Sequence, residues 1–231
     1  MHFEILAEDL SGKRCLEILF PQLRGPNDTF RIISYKGVGR IPKSMKANTD
    51  PHKRILLANL PRLMRGYGNT FNGYGSDYEA VVIIVCDLDG RNASGFLEEL
   101  EALLEECNPQ PDTRFCLAIE EGEAWLLGDF PAVKAAYPGA KDGVLSAYVN
   151  DSICGTWERL ADAVYPGGAN ALSRKGWQNV GAEKFKWAED ICPRMDIEAN
   201  HSPSFCSFRD TIRSLRSTTR IARPTELTAR R

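Results

Sequence analysis

Residues 79–91 read EAVVIIVCDLDGR, and this segment indicates both a fold class and a candidate site. The apolar, mostly β-branched run from 81 to 86 has turn-forming residues at both ends, which predicts a strand buried on both faces of a parallel sheet. Asp87 and Asp89 end this strand, and Gly90 follows. Side chains two apart on a strand project to the same side, so both carboxylates can converge at the edge where open α/β sheets bind ligands.

A metal ion is the simplest way to stabilise two neighbouring carboxylates, which otherwise repel each other. Mg²⁺ or Mn²⁺ is the expected cofactor, because hard divalent ions take oxygen ligands. A purely structural interpretation stays open. Asp is common in turns and Asp-Gly is a frequent turn pair, and Asp89 can also cap a helix predicted to begin near Ala93.

The order of secondary-structure segments predicts an α/β fold with a mostly parallel central sheet flanked by helices. Besides the central strand, strands are expected at 2–7, 30–35 and 115–119. Helices are expected at 12–23, 51–67 (with a break near Pro61), 93–107, and 120–129, and the glycine-rich segments 36–40 and 66–77 are predicted to be loops.

The character of the chain changes after Pro131, where short helical segments are separated by Pro-Gly loops. Helices are predicted at 184–195 and 207–217. The sequence therefore suggests two parts: an α/β domain of residues 1–135 and a mainly helical C-terminal extension of residues 136–231 with a basic tail.

Further carboxylates follow the other predicted strands. Glu8 comes directly after the first strand, so it joins Asp87 and Asp89 if the two strands are neighbours. Glu120 and Glu123 lie where the strand at 115–119 passes into a helix, and either Glu123 or Glu120 is a candidate fourth metal ligand. Negative side chains also favour helix N-termini for structural reasons, so this alternative stays open.

The bulk composition is that of an ordinary soluble protein, with 43% hydrophobic and 26% charged residues among 231. No apolar run is long enough to cross a bilayer, and the N-terminus does not resemble a secretory signal, so no membrane association and a cytoplasmic location are expected. The seven cysteines are widely spaced, which favours reduced thiols in the core.

The C-terminal tail is basic, with seven arginines against two acids between residues 209 and 231. Arg209, Arg213 and Arg216 would share one helix face and are candidates for binding nucleic-acid phosphates. A solvated end, or docking on an acidic partner, explains the same pattern. Lys184 and its neighbours Lys175 and Lys186 could face DNA, but a solvated helix face is the default interpretation.

Four segments of the chain resemble a family of bacterial proteins related to Toprim nucleases of the OLD type. They are ILAEDLSGKRCLEILFP, VVIIVCDLDG, IEEGEAWLLGD and ANHSPSFCSF. The most distinctive pieces are EAWLLGD, residues 123–129, and SPSF, residues 202–205, whereas residues 150–181 match only loosely.

The resemblance implies a Toprim-like fold and a metal-dependent nuclease of an anti-phage defence system. Glu8 would be the Toprim glutamate, Asp87 and Asp89 would hold Mg²⁺, and Glu123 would be an accessory acid. It also implies an ABC- or SMC-type ATPase partner encoded nearby, and a homo-oligomer is possible. One position departs from the pattern: Asp9 stands where the family usually has glycine, which puts catalysis in doubt.

Two other functions fit parts of the sequence. A non-catalytic Toprim-fold module could use the acidic edge and the arginine tail to bind and regulate an ATPase. A haloacid-dehalogenase-like phosphatase also places Asp-x-Asp after a strand and uses the first Asp, here Asp87, as nucleophile. That motif normally follows the first strand, which weakens the phosphatase interpretation.

Overall fold

The structure is a computed structural model, and it describes residues 1–47, 50–75, 78–118, 121–152 and 155–221, with side chains up to residue 216. All structural statements below refer to these ranges.

The centre of the molecule is a four-stranded sheet in which every pairing is parallel. Its strands are β1 (His2–Ala7), β2 (Thr29–Ser34), β3 (Ala80–Asp87) and β4 (Thr113–Ala118), in the order β2-β1-β3-β4. Helices flank the sheet and a helical segment follows at the C-terminus, so the α/β prediction is confirmed and the architecture is consistent with a Toprim-like fold.

The sheet is buried because both of its faces are covered by apolar side chains. On one face, Phe3 and Ile5 join a cluster that extends into the C-terminal helices. On the other face, Leu6, Val82 and Ile84 join a second cluster beneath the helices that follow β2 and β3. The central position of β3 explains its uninterrupted apolar run, since alternate residues serve opposite cores.

Ten α-helices are described. They are α1 (Leu10–Leu23), α2 (Leu60–Gly73), α3 (Ala93–Glu105), α4 (Glu123–Leu127), α5 (Phe130–Ala136), α6 (Asp142–Ser146), α7 (Thr156–Val164), α8 (Gly168–Ser173), α9 (Trp177–Ile191) and α10 (Pro203–Ile221). Single 3₁₀ turns occupy Pro51–Lys53, Leu57–Asn59 and Cys192–Arg194. Helices α9 and α10 both begin earlier than the sequence pattern indicated.

The predicted loop at 66–77 is wrong over its first part, because α2 continues to Gly73. The helix forms since Met64, Tyr67 and Phe71 lie on one side of it and pack on the second apolar cluster. One of its three glycines has a packing role: a Cβ at Gly68 would lie 2.0 Å from the carbonyl oxygen of Pro109. Ser76 and Asp77 lie outside the described residues.

The C-terminal helices share their core with the sheet. One continuous apolar cluster contains Phe3 of β1, Leu16 of α1, Trp187 of α9 and Phe208 of α10. The division at residue 135 stays a prediction, but the core is continuous across it.

The state of the cysteines and the apolarity of the helices can be read from the described residues. The six cysteines that can be described are free thiols, five of them buried, and Cys154 lies outside the described residues. None of the described helices combines the length and apolarity that a membrane span requires.

Candidate active site

Glu8 and Asp87 meet at the carboxyl edge of the sheet. Strands β1 and β3 are adjacent, with Ala7 opposite Val85, so the residues that follow them emerge side by side. Glu8 accepts a hydrogen bond on Oε2 from the backbone amide of Asp87 at 3.0 Å. The structure therefore brings together two of the carboxylates that sequence reasoning selected.

Asp9 caps helix α1. Its side chain accepts hydrogen bonds from the amide of Gly12 and the hydroxyl of Ser11, both at 2.7 Å. The backbone of Asp9 is extended, with φ at −142°, so this position does not require glycine. The departure from the Toprim pattern at this position thus has a local structural role, because aspartate is a good N-cap residue.

Asp89 lies at the rim of the site. It follows β3 in a left-handed turn with φ at 49°, so the alternation of the strand no longer directs its side chain. The carboxylate is exposed and lies 3.9 Å from the guanidinium of Arg91. The alternative role as a helix cap is wrong, since Asn92 caps α3 by accepting from the amide of Gly95.

A small cavity opens beside Glu8 and Asp87, between the strand ends and helices α1, α4 and α9. Its volume is about 30 Å³, and its polar lining includes Glu123 and Lys184. A water molecule needs about 10–15 Å³ by this measure, so the cavity is large enough for about two waters.

Lys184 supplies the positive charge in this cavity. Its ammonium lies 3.0 Å from the carboxylate of Glu123 and 3.9 Å from that of Glu121, and its side chain is only 14% exposed. The default interpretation of Lys184 as part of a solvated helix face is therefore wrong. The signal was in the sequence, because this lysine lies within the apolar stripe of α9 that also contains Val180 and Trp187.

Burial and repulsion by neighbouring acids raise the pKa of Glu8, Asp87 and Glu123. The pKa of Glu8 rises to about 7, first through burial and then through the charges of Asp89 and Asp9, against hydrogen bonds from backbone amides. Burial, followed by the charge of Glu8, raises the pKa of Asp87 well above its ordinary value. Burial also raises the pKa of Glu123 to about 7, although Lys184 opposes this rise. The cluster is short of positive charge.

The two most distinctive sequence segments contact each other and fix α4. The indole nitrogen of Trp125 donates to the hydroxyl of Ser204 at 3.1 Å, and its ring stacks on Phe208 at a centroid distance of 5.0 Å. Gly128 lies against α10's leading segment, where a Cβ would come within 2.2 Å of Asn200. These contacts position the helix from which Glu123 projects into the cavity.

Glu121 and Glu120 complete the account of the acids that follow β4. Glu121 accepts hydrogen bonds from the hydroxyl of Thr156 and the amide of Trp157, both at 3.1 Å, so it starts helix α7. Glu120, the alternative fourth ligand, lies outside the described residues.

A cleft that contains two arginines lies beyond Asp89, whose carboxylate is 3.9 Å from Arg91. The cleft has a volume of about 430 Å³ and is lined by Arg40, Arg91, the first turn of α3 and one acid, Glu99. Arg91 lies over the ring of Phe96 at 4.9 Å, and its Nη1 atom is buried without a hydrogen-bond partner among the described residues. The sequence analysis did not identify this cleft, because Arg40 and Arg91 are far apart along the chain.

The three arginines predicted to bind nucleic acid contact the body of the protein. Arg209 donates to the carbonyl of Ile197 at 2.9 Å, and Arg213 pairs with Glu198. Arg216 donates to the carbonyl of Leu23 at 3.1 Å. Nucleic-acid binding by these residues stays a prediction, and the rest of the basic tail lies outside the described side chains.

Comparison of the chain with protein-family models, curated proteins and solved structures found no match. Across the described ranges, no three His, Cys, Asp or Glu side chains are grouped closely enough to hold a metal ion by themselves. The chemistry of the cavity and of the cleft beyond Asp89 is therefore the basis on which a function can be proposed.

Proposed function

We propose that the chain is a Mg²⁺- or Mn²⁺-dependent nuclease that hydrolyses phosphodiester bonds at the edge formed by Glu8, Asp87 and Asp89. The observation that carries the proposal is the hydrogen bond between the Glu8 carboxylate and the Asp87 amide, which joins two acids of raised pKa beside an arginine cleft. Perturbed acids beside a charged cleft are typical of catalytic sites.

Two of the carboxylates, those of Glu8 and Asp87, lie together as ligands of a magnesium ion would. Magnesium commonly uses one or two carboxylates and keeps several waters, so Glu8 and Asp87 suffice as its core ligands, with Asp89 available at the rim. The shortage of positive charge in the cavity favours an additional cation. Glu123, also predicted as a ligand, pairs with Lys184, and we assign it to that lysine instead.

Besides holding a metal ion, residues of the chain can bind phosphate, balance charge and exchange a proton. A bound divalent ion would orient a water and stabilise charge on the phosphate. Arg40 and Arg91 bind the phosphates beside the scissile bond, because guanidinium groups match phosphate oxygens. Lys184 opposes the rise in the pKa of Glu123 and adds positive charge to the cavity. Without a bound ion Glu8 takes up a proton near neutral pH, so protonation of Glu8 competes with metal binding.

The biological setting is proposed from the sequence resemblance. The resemblance to OLD-type Toprim nucleases implies that the chain belongs to an anti-phage defence system and works there with an ATPase of the ABC or SMC type. DNA and RNA both remain candidate substrates, since arginines that bind phosphate do not distinguish them.

A second candidate function is a non-catalytic module that binds and regulates such an ATPase. The observation in its favour is Lys184, whose ammonium already neutralises part of the acid cluster. In addition, Asp89 is turned to the rim and pairs with Arg91.

A cleavage assay separates the two functions. Single- and double-stranded DNA and RNA are incubated with the parent chain, Asp87→Asn and Glu8→Gln, with Mg²⁺, Mn²⁺ or EDTA. We expect cleavage only with metal, and a loss of at least about 100-fold in both variants. The matched control is Glu101→Gln on the exposed side of α3, which should cleave like the parent.

The assay has two adverse outcomes. Unchanged cleavage by both variants, with folding verified by circular dichroism, contradicts the assignment of the site. If no metal supports cleavage but the chain forms a stable complex with the neighbouring ATPase, the regulatory module is the correct function.

A further inference from the structure

A second concave site lies at the opposite end of β1. Its walls are Tyr67, Phe71, Tyr74 and Tyr78, and its floor is Glu4. We call it the tyrosine cleft. Its volume is about 440 Å³, within the range of about 300–1,000 Å³ that is usual for small-molecule sites. Residues 2 and 8 are separated by about 20 Å of extended strand, so this cleft is distinct from the acidic cavity.

The walls of the cleft offer ring faces for stacking. Tyr74 and Tyr78 are in edge contact at a centroid distance of 4.7 Å, and Phe71 lies 6.2 Å from Tyr78. Although they are large aromatic residues, Tyr74 and Tyr78 remain 59% and 40% exposed. Exposed aromatic side chains in a concave site favour a planar ligand, because flat rings stack on them with little loss of side-chain entropy.

The carboxylate of Glu4, at the floor of the cleft, is balanced by its neighbours and holds them in position. Glu4 is only 2% exposed, and its carboxylate contacts Arg31 at 2.7 Å, the hydroxyl of Tyr67 at 3.1 Å and His2 at 3.3 Å. With these partners, Glu4 has no free charge to offer a cationic ligand. Its role is to hold Tyr67 and Arg31 in place.

Positive charge predominates at the mouth of the cleft. Arg31 uses only its Nε atom for Glu4, and its side chain is 63% exposed. Arg62 also lines the cleft, is exposed, and forms no ion pair with any described residue. Glu4 is the single acid among the described lining residues. An organic cation would be repelled, whereas a phosphate would find two guanidinium groups.

From these features we infer that the tyrosine cleft binds a nucleoside phosphate. The base stacks on the exposed ring of Tyr74, which Tyr78 supports in edge contact, and the phosphate contacts Arg31 and Arg62. The ligand is either a free mononucleotide or the end of a nucleic-acid strand, since both carry the same base and phosphate. This inference does not depend on nuclease activity at the acidic cavity.

Isothermal titration calorimetry on the full chain tests the inference. The probes are adenosine monophosphate, adenosine, inorganic phosphate and a 5′-phosphorylated tetradeoxyadenylate. We expect the mononucleotide to bind more tightly than adenosine or phosphate alone. Comparable or tighter binding of the tetranucleotide, per site, identifies a strand end as the ligand; much weaker binding identifies a free nucleotide.

Variants locate the binding site. Tyr74→Ala should weaken binding about tenfold, because it removes a stacking ring, whereas Tyr74→Phe should stay within about twofold. Arg62→Gln should weaken binding of the mononucleotide but not binding of adenosine. It should also make the affinity for the mononucleotide less dependent on salt concentration. Both residues are exposed, so these changes leave the fold intact.

Several outcomes overturn the inference. It is overturned if none of the probes binds at millimolar concentration, or if Tyr74→Ala and Arg62→Gln both bind like the parent. Sedimentation that shows a dimer dissociated by Tyr74→Ala, with no nucleotide binding, identifies the cleft as a subunit interface instead. Asp87→Asn should bind the mononucleotide normally, so a failure of the proposed nuclease activity and a failure of this inference are distinguishable.

Discussion

The two ends of β1 treat a glutamate in opposite ways. Glu4, near the start of the strand, is buried among three donors: Arg31, Tyr67 and His2. Glu8, just past the end of the strand, accepts a hydrogen bond from the backbone amide of Asp87, but its other charged neighbours include the acids Asp9 and Asp89. The first arrangement is complete without a ligand charge and serves as scaffold. The second is short of positive charge and is therefore the better candidate for cation-dependent chemistry.

The largest expected effect concerns Lys184, whose ammonium lies in the acidic cavity. Lys184→Met should lower the free energy of unfolding by about 3–5 kcal/mol, because it leaves the buried Glu123 carboxylate without its partner. Chemical denaturation at pH 8 measures the change. The double variant Lys184→Met with Glu123→Gln should recover much of the loss.

Lys186→Met is the matched control for this change, since Lys186 lies two residues away on the exposed side of α9. It should change stability little. A Lys184→Met protein as stable as this control would show that the ion pair contributes nothing, and the contrast between the two ends of β1 would lose its main support.

Glu4→Leu tests the opposite end of the strand. It should cost about 1–3 kcal/mol, because the hydroxyl of Tyr67 and Nε of Arg31 lose a buried acceptor. Thermal and chemical unfolding at pH 7 measure this cost. Nuclease activity should persist in the folded variant; its complete loss would argue that the two ends of β1 do not act separately.

Glu8→Gln should raise the free energy of unfolding at alkaline pH, whereas Lys184→Met and Glu4→Leu lower it. The folded-state pKa of Glu8 is about 7, above an ordinary value of 4.5, so the native state favours the protonated form. Stability from this group is present below pH 4.5 and is lost as pH rises through about 7. The variant does not titrate there, so it should gain on the order of 1–3 kcal/mol over the parent between pH 5 and pH 8.

Urea unfolding at both pH values, with Glu101→Gln as control, measures this difference. A bound divalent ion would relieve the same repulsion, so Mg²⁺ should raise the melting temperature of the parent more at pH 8 than at pH 5. An equal rise at both values, or a Glu8→Gln variant that is less stable at pH 8, would contradict the interpretation of the cavity.

The smallest expected effect belongs to the arginines of α10. Arg213→Ala should leave the melting temperature nearly unchanged, because its pair with Glu198 is exposed to solvent. Binding to a short DNA duplex, measured across a salt series, tests the role predicted from the sequence. A clear loss of affinity and a shallower salt dependence would place part of the nucleic-acid surface here, beyond both ends of β1.

The sequence predicted those features that a local pattern encodes. The apolar run of β3 predicted a central parallel strand, and the carboxyl-edge rule then predicted that Glu8 and Asp87 would meet. Asp89 was predicted to converge with Asp87 by strand alternation, but the strand ends at Asp87 and a left-handed turn redirects the side chain.

Features that depend on packing between distant segments were missed. Lysine is usually solvated, so the position of Lys184 inside an apolar stripe was not given enough weight. The tyrosine cleft combines the start of β1 with α2, whose second half was taken for a loop because glycine and asparagine are frequent in it. The value of Gly68 to packing is invisible without its neighbour Pro109.

The location of Lys184 has a consequence for biosynthesis. The acids of the cavity leave the ribosome before α9 does, because Glu8, Asp87 and Glu123 all precede that helix in the chain. Until then the nascent protein holds clustered negative charge without its internal counterion, and it depends on protons or dissolved cations for neutrality. Truncation at residue 135 would remove both the lysine that balances the acids and the apolar side chains with which α9 completes the shared core.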